Sequence, residues 1–293
     1  MSRLSHVDRI QWSSSSSSTG PAGPDLTKEL EAGDVVFLPN LRFAVELNEA
    51  VLFRPSILGS AKNASFDSAT GRIGGTTATG GEAEALRSLM QRFSDAALAL
   101  VRDLCPSYGS RIERRRASFR PAEIAGRTTT WRKDDTRLHV DSFPATPSGG
   151  RRILRVFTNV NPDGRARSWR IGHEFEAVAR RFAPALRMPF PGTPQLLRLL
   201  RITKTTRSPY DALMLQLHDR MKADADFQAH TPQTAIEFPA GSTWMAFTDQ
   251  VSHAAMAGQY QLEQTFLLPV DAMGEPERSP LRVLERLMGR RLV

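Results

Sequence analysis

His139-Val140-Asp141 sets an imidazole and a carboxylate two residues apart. In an extended chain such residues point to one face, their roots about 7 Å apart, a span suited to grasping a single metal ion. Val140 then faces the opposite way, as an apolar residue should. A third donor, His253, lies far downstream, behind the turn Pro239-Ala240-Gly241-Ser242 and the apolar run Thr243 to Phe247. A His-x-Asp pair on an early barrel strand with a distant histidine behind such a turn and strand is the layout of a facial triad. Two imidazoles and one carboxylate hold iron(II) from one side and leave three positions open. Among the other histidines, His218 falls in a helical run, as a cap or a lining of a substrate cleft. His173 and His230 fall in loops and His6 in a low-complexity tail.

The open positions invite 2-oxoglutarate, whose keto-acid end chelates the iron beside O2 and whose far carboxylate needs a cation. No Arg or Lys occurs between Ala254 and Pro269, so the cation must come from elsewhere. The run Arg151 to Asn159 supplies one. Counted by twos, Arg155, Phe157 and Asn159 share one face, and Arg152, Leu154, Val156 and Thr158 the other. A buried Arg155 needs a carboxylate partner, because an unpaired buried cation is costly. Arg155 is therefore the expected cosubstrate anchor, with Asn159 beside it and Gln264 and Thr265 assisting.

These side chains need a scaffold. The spacing of Leu86, Leu89, Met90, Phe93, Ala97, Leu98 and Val101 predicts a helix over 82–104, stopped by Pro106. Helices are also expected over 175–182 and 209–223. β-Branched and aromatic runs predict strands over 35–38, 128–131, 138–141, 153–160, 235–238, 243–248 and 265–270. The Gly, Ser and Thr-rich stretch 59–81 reads as an irregular loop. A helical front half followed by short strands predicts an α+β protein whose core is a double-stranded β-helix, or jelly roll, with flanking helices. Residues 1–25, with Ser13 to Ser18 and Gly20-Pro21-Ala22-Gly23-Pro24, read as a disordered tail, leaving 26–293 as one oxygenase domain.

The 293 residues suffice for a buried core without disulfides, and the lone Cys105 excludes both a disulfide framework and a CxxC zinc site. No window is apolar enough for a membrane span, and a serine run stands where a signal peptide would need apolar residues. The expected compartment is the cytoplasm. Net charge is +8, and all but five of the 39 basic residues are arginine, whose planar fork suits carboxylates and phosphates. Basic character alone would also fit a nucleic-acid-binding protein. With three tyrosines, four tryptophans and no recognised motif, no nucleic-acid partner is expected.

Longer strings are more specific than the triad. Thr130-Trp131-Arg132-Lys133-Asp134-Asp135-Thr136-Arg137-Leu138-His139-Val140-Asp141-Ser142-Phe143-Pro144 is one. Ser118-Phe119-Arg120-Pro121, Arg152 to Pro162, Leu217 to Lys222 and Phe247 to His253 with Leu262 to Thr265 are others. In these the chain resembles the Kdo hydroxylases, over most of 118–269. The resemblance implies an Fe(II)-, 2-oxoglutarate- and O2-dependent hydroxylation of the acidic sugar Kdo at C3, in the inner core of lipopolysaccharide. Kdo-containing lipid A or its precursors would be the partner. Another anionic substrate is the alternative. A sugar acid suits Arg127, Arg132, Lys133 and Arg137, just before the metal strand. Because the implied substrate is a membrane lipid, the basic, leucine-rich stretch 280–293 reads either as an anchor on the inner face of the inner membrane or as a helix docked on the barrel.

Overall fold

The computed structural model describes residues 3–12 and 24–293. Eleven strands form two sheets: β1 (Leu4–His6), β2 (Val35–Leu38), β3 (Ala64–Asp67), β4 (Arg72–Gly74), β5 (Glu113–Arg120), β6 (Arg152–Asn159), β7 (Arg167–Ile171), β8 (Thr234–Phe238), β9 (Thr243–Phe247), β10 (His253–Ala257) and β11 (Gln261–Leu268). The major sheet runs β1-β2-β9-β6-β11-β5-β3-β4 and the minor sheet β10-β7-β8. Side chains from both sheets meet in a shared layer of Phe37, Phe157, Trp169, Ile236, Phe238 and Trp244. Phe238 stacks on Trp244 with ring centroids 4.0 Å apart. This is the expected jelly-roll core, and the period of two along each strand decides what enters it.

In β6, Arg155 and Phe157 face the minor sheet, while Leu154 and Val156 join the core on the other side. That second face is covered by α2 (Gly80–Leu104), which buries Leu86, Leu89, Met90, Phe93, Leu100 and Val101. Burying each such aliphatic side chain contributes roughly 1.5–3 kcal/mol. The remaining helices are α1 (Thr27–Ala32), α3 (Phe175–Phe182), α4 (Thr193–Leu199), α5 (Pro209–Ala223), α6 (Ala225–His230) and α7 (Pro280–Met288). Helix α5 starts where its capping box predicts: Ser208 and Asp211 satisfy each other's backbone N–H groups.

Several expectations need correction. Leu4–His6 pairs in parallel with Val35–Phe37, and Trp12 packs edge-on against Phe43 and Phe93, so part of the expected tail belongs to the body. Ser13 to Ser18 lies outside the described residues. The stretch 59–81 contains the β3–β4 hairpin, because Ala64 and Phe66 alternate into the core and β3 pairs with β5. Residues 128–131 form no strand, and a tight turn follows at Trp131–Lys133. Residues 138–141 form no regular strand either, being held by a single bridge between His139 and His253. Helix α7 is docked: Leu281, Val283, Leu284 and Leu292 are buried. The leucines of 280–293 therefore contact the protein, which is the docked one of the two readings of that stretch.

Candidate active site

The His139–His253 bridge brings the two imidazoles together. His139 N–H donates to the His253 carbonyl (3.0 Å) and His253 N–H to that of His139 (2.9 Å), while Asp141 N–H donates to Thr248 O (2.8 Å). Extended geometry thus survives without a regular strand, and His139 and Asp141 point the same way, Nε2 lying 3.9 Å from Oδ1. One donor atom from each of His139, Asp141 and His253 falls within 4.8 Å of the others.

Each imidazole is oriented from behind. His139 Nδ1 lies 2.7 Å from Arg137 O and His253 Nδ1 2.8 Å from Val251 O. A carbonyl only accepts, so both Nδ1 atoms carry the proton and both Nε2 lone pairs face the site. Trp169 stacks on His253 at 5.1 Å. Burial lowers the pKa of both histidines, and in His139 the neighbouring His253 and Lys222 lower it further. The imidazoles are therefore neutral, as ligation requires. Burial pushes the Asp141 carboxyl up, but Arg155 and the two imidazoles outweigh it and hold it well below the usual carboxylate range. Two neutral imidazoles and one ionised carboxylate on one side of a cavity fit a divalent metal.

The cavity beside the triad, about 130 Å3, is lined from both sheets, by Arg120, Arg155, Phe157, Arg167, Trp169 and Gln261 among others. Among the buried polar atoms on this lining without a hydrogen-bond partner are Arg167 Nε, Trp169 Nε1 and Gln261 Oε1. Arg167 Nη1 donates to Gly258 O (2.6 Å), and no carboxylate pairs with its guanidinium among the described residues. Burial pulls its pKa down to about 9, aided by the nearby Arg120. A buried guanidinium with no carboxylate partner, facing a small cavity next to a metal triad, fits the far carboxylate of a bound diacid.

Arg155, the expected anchor, lines the same cavity but has partners: Nη2 lies 3.1 Å from Asp141 Oδ2 and Nη1 2.8 Å from Glu263 Oε1. Glu263 also binds Arg120 at 3.0 Å. Thr265 sits opposite Arg155 in the register of β11 on β6 and lines an outer groove rather than the triad cavity. Gln264 points to the other face of the sheet, its amide donating to the carbonyls of Arg115 and Thr265. Asn159 braces a turn, donating to Arg165 O and Phe238 O and accepting from Asn161 N–H. Neither Gln264 nor Asn159 reaches the cavity lining, which corrects their expected role.

Of the four expected substrate cations, Arg127 donates to the carbonyls of Ala122 and Glu123, and Arg137 to Asp134 and Lys222 O. Arg132 lies over the Trp131 ring at 4.1 Å and pairs with the Asp219 carboxylate. Lys133 is exposed. His218 packs edge-on to His139 at 5.3 Å. The spelling His-x-Asp recurs at His6-Val7-Asp8 on the edge strand, where His6 packs against Phe37. No third ligand joins it among the described residues.

A facial triad between the two sheets of a jelly roll, beside a basic cavity, defines a non-heme iron dioxygenase of the 2-oxo-acid-dependent class. The chain belongs to the family of 3-deoxy-D-manno-oct-2-ulosonic acid (Kdo) hydroxylases, whose pattern matches residues 12–291. Among solved structures it is similar to the Kdo hydroxylase KdoO, described as a non-heme Fe(II) alpha-ketoglutarate-dependent dioxygenase. The complex with alpha-ketoglutarate and Fe(III) shares 44% identity over 99% of this chain and 97% of that one, with a TM-score of 0.94. The cobalt(II) complex shares 44% over the same shares of the two chains, at a TM-score of 0.95. The complex with succinate and Fe(III) shares 43%, again over 99% and 97%, at 0.94. No curated protein sequence matches the chain.

Proposed function

We propose that this protein hydroxylates Kdo at C3 within Kdo-lipid A or a precursor, using Fe(II), 2-oxoglutarate and O2, with residues 26–293 and strand β1 acting as one catalytic domain. The observation that carries the reading is the three-donor cluster His139, Asp141 and His253 beside the guanidinium of Arg167, whose Nε has no hydrogen-bond partner. When bound, the metal supplies the O2 chemistry that side chains lack. His139 and His253 would offer Nε2 to it, and Asp141 an oxygen. Arg155 keeps that carboxylate ionised and, through Glu263, is fixed against Arg120.

Arg167 takes the far carboxylate of 2-oxoglutarate, and Trp169 Nε1–H can donate a further hydrogen bond to it. Arg155 supports the metal carboxylate rather than the cosubstrate. Phe157, Ile124 and Trp169 exclude water from the same cavity. On the solvent side, Arg132 and Lys133 meet the sugar carboxylate, since Arg132 is exposed and pairs with Asp219, next in sequence to His218, which packs on the metal histidine. Arg127 and Arg137, turned onto backbone carbonyls, shape the loop that carries these two. The enzyme works on the cytoplasmic side, at the surface of the membrane that holds its substrate.

The test is mass spectrometry of Kdo-lipid A after incubation with enzyme, Fe(II) and 2-oxoglutarate. One added oxygen on the Kdo, with matching succinate, is expected. His253→Ala should abolish both products and the visible absorption band of the anaerobic Fe(II)–2-oxoglutarate complex, while leaving a folded protein. Oxygen addition by that variant at the wild-type rate would remove the triad assignment.

A further inference from the structure

Among the large apolar side chains that the protein leaves exposed, five lie within thirteen residues: Phe190, Leu196, Leu199, Leu200 and Ile202. Phe190 is 83% exposed and Leu199 77%. The stretch 187–207 around α4 also carries Arg187, Arg198, Arg201, Lys204 and Arg207 with no acidic residue between them. Elsewhere the surface arginines mostly have carboxylate partners, as Arg111 has Asp271, Arg180 has Glu176 and Arg282 has Glu285. No ion pair forms with any of these five cations among the described residues. The ends of the stretch are fastened to the body: Leu186 and Thr203 are buried, Arg187 N–H donates to Gln216 Oε1, and Lys204 N–H donates to Ala145 O.

A surface that is both apolar and purely cationic matches one kind of partner. Exposed apolar patches of this size mark interaction sites, and cations interleaved with them favour an anionic, partly apolar plane. A second copy of the chain fits poorly, because a two-fold contact would set these unpaired cations against the same five in its partner. We propose that 187–207 seats the protein on an anionic lipid bilayer, with Phe190, Leu199 and Leu200 entering the headgroup layer and the arginines meeting lipid phosphates. Lys204 lines a groove of about 560 Å3 together with Phe143, Thr146, Arg155, Glu263 and Arg120. The last three residues also line the triad cavity, so the groove beside the seated face shares a wall with the metal centre. The membrane seat rests on the chemistry of this stretch and not on the sugar assigned above.

The experiment is sedimentation of the full-length protein with vesicles of phosphatidylcholine alone or mixed with phosphatidylglycerol. Wild type should bind the mixed vesicles and release in high salt, and bind phosphatidylcholine weakly. Arg198→Glu/Arg201→Glu and, separately, Phe190→Ser/Leu199→Ser should each weaken binding by roughly tenfold or more, while Leu47→Ser, an exposed leucine elsewhere, binds as wild type. Thermal melts and the anaerobic Fe(II)–2-oxoglutarate absorption band should be unchanged in all variants, so a missing band in wild type would count against the catalytic reading alone. Failure of wild type to bind the mixed vesicles, or undiminished binding by both double variants, overturns the membrane seat. So does a wild-type dimer in solution that Phe190→Ser/Leu199→Ser converts to monomer.

Discussion

Two stretches of this chain, 187–207 and 280–293, carry the same kind of sequence: leucines at helical spacing interleaved with arginines. Their fates differ. In α7 the leucines are buried, and Arg282 and Arg286 pair with Glu285 and Glu277. In 187–207 Leu196, Leu199 and Leu200 are exposed, and the arginines form no ion pair among the described residues. An amphipathic pattern states that a face will be covered and leaves open by what. The answer depends on whether the rest of the fold offers an apolar surface and carboxylates at that place. The same contrast recurs inside the barrel, where Arg152 and Arg155 face carboxylates and Arg167 does not.

The contrast can be broken most severely at a paired cation. Arg152 is fully buried, bonded to Asp249 at 2.8 Å and Gln250 at 2.6 Å, its guanidinium 3.9 Å from the Phe247 ring centre. Arg152→Met strands the Asp249 carboxylate and should lower stability by about 3–5 kcal/mol, read by denaturant unfolding. Next comes the leucine pair. Leu284→Ala should cost about 2–5 kcal/mol by leaving a cavity, whereas Leu199→Ala should stay within about 0.5 kcal/mol of wild type. Equal losses in the two variants would erase the distinction between the stretches.

The finest test is the unpaired cation. Arg167→Met should raise the 2-oxoglutarate dissociation constant at least tenfold, a loss of about 1.5–3 kcal/mol for a charge-assisted contact, with little change in melting temperature. Arg155→Met should instead weaken metal binding and stability together, because it releases Asp141 and Glu263 at once. Titration by the absorption band and calorimetry separate the two. If Arg155→Met weakens 2-oxoglutarate binding more than Arg167→Met at saturating iron, the roles are exchanged.

The triad was legible because metal chemistry restricts residue type and the period of two restricts spacing. The helices expected over 175–182 and 209–223 were legible from their apolar spacing and form over those residues. Arg167 was not, since a lone arginine in Arg165-Ala166-Arg167 has no pattern. Its significance comes from β7 lying in the minor sheet, in register with β8, which is a long-range fact. The alternation of buried residues along Arg167, Trp169 and Ile171 was the one local signal. His6-Val7-Asp8 shows the limit from the other side: the right spelling, on an edge strand with no third ligand beside it. Gln264 and Thr265 were both expected to assist Arg155, but one residue along a strand exchanges inside for outside, and Gln264 faces away from the cavity.

The backbone carbonyls behind His139 and His253 have a consequence for upkeep. With both rings held by carbonyls of residues two positions upstream, the donor atoms stand ready on the finished fold, and loading a metal orders nothing further. Such a rim selects among divalent ions weakly by shape, leaving the choice to whichever ion the surroundings supply. The related KdoO has been crystallised with cobalt(II) as well as with Fe(III). The donor atoms of His139, Asp141 and His253 lie within 4.8 Å of one another with both imidazoles fixed from behind, so exchange of one bound ion for another calls for no refolding of the two rings.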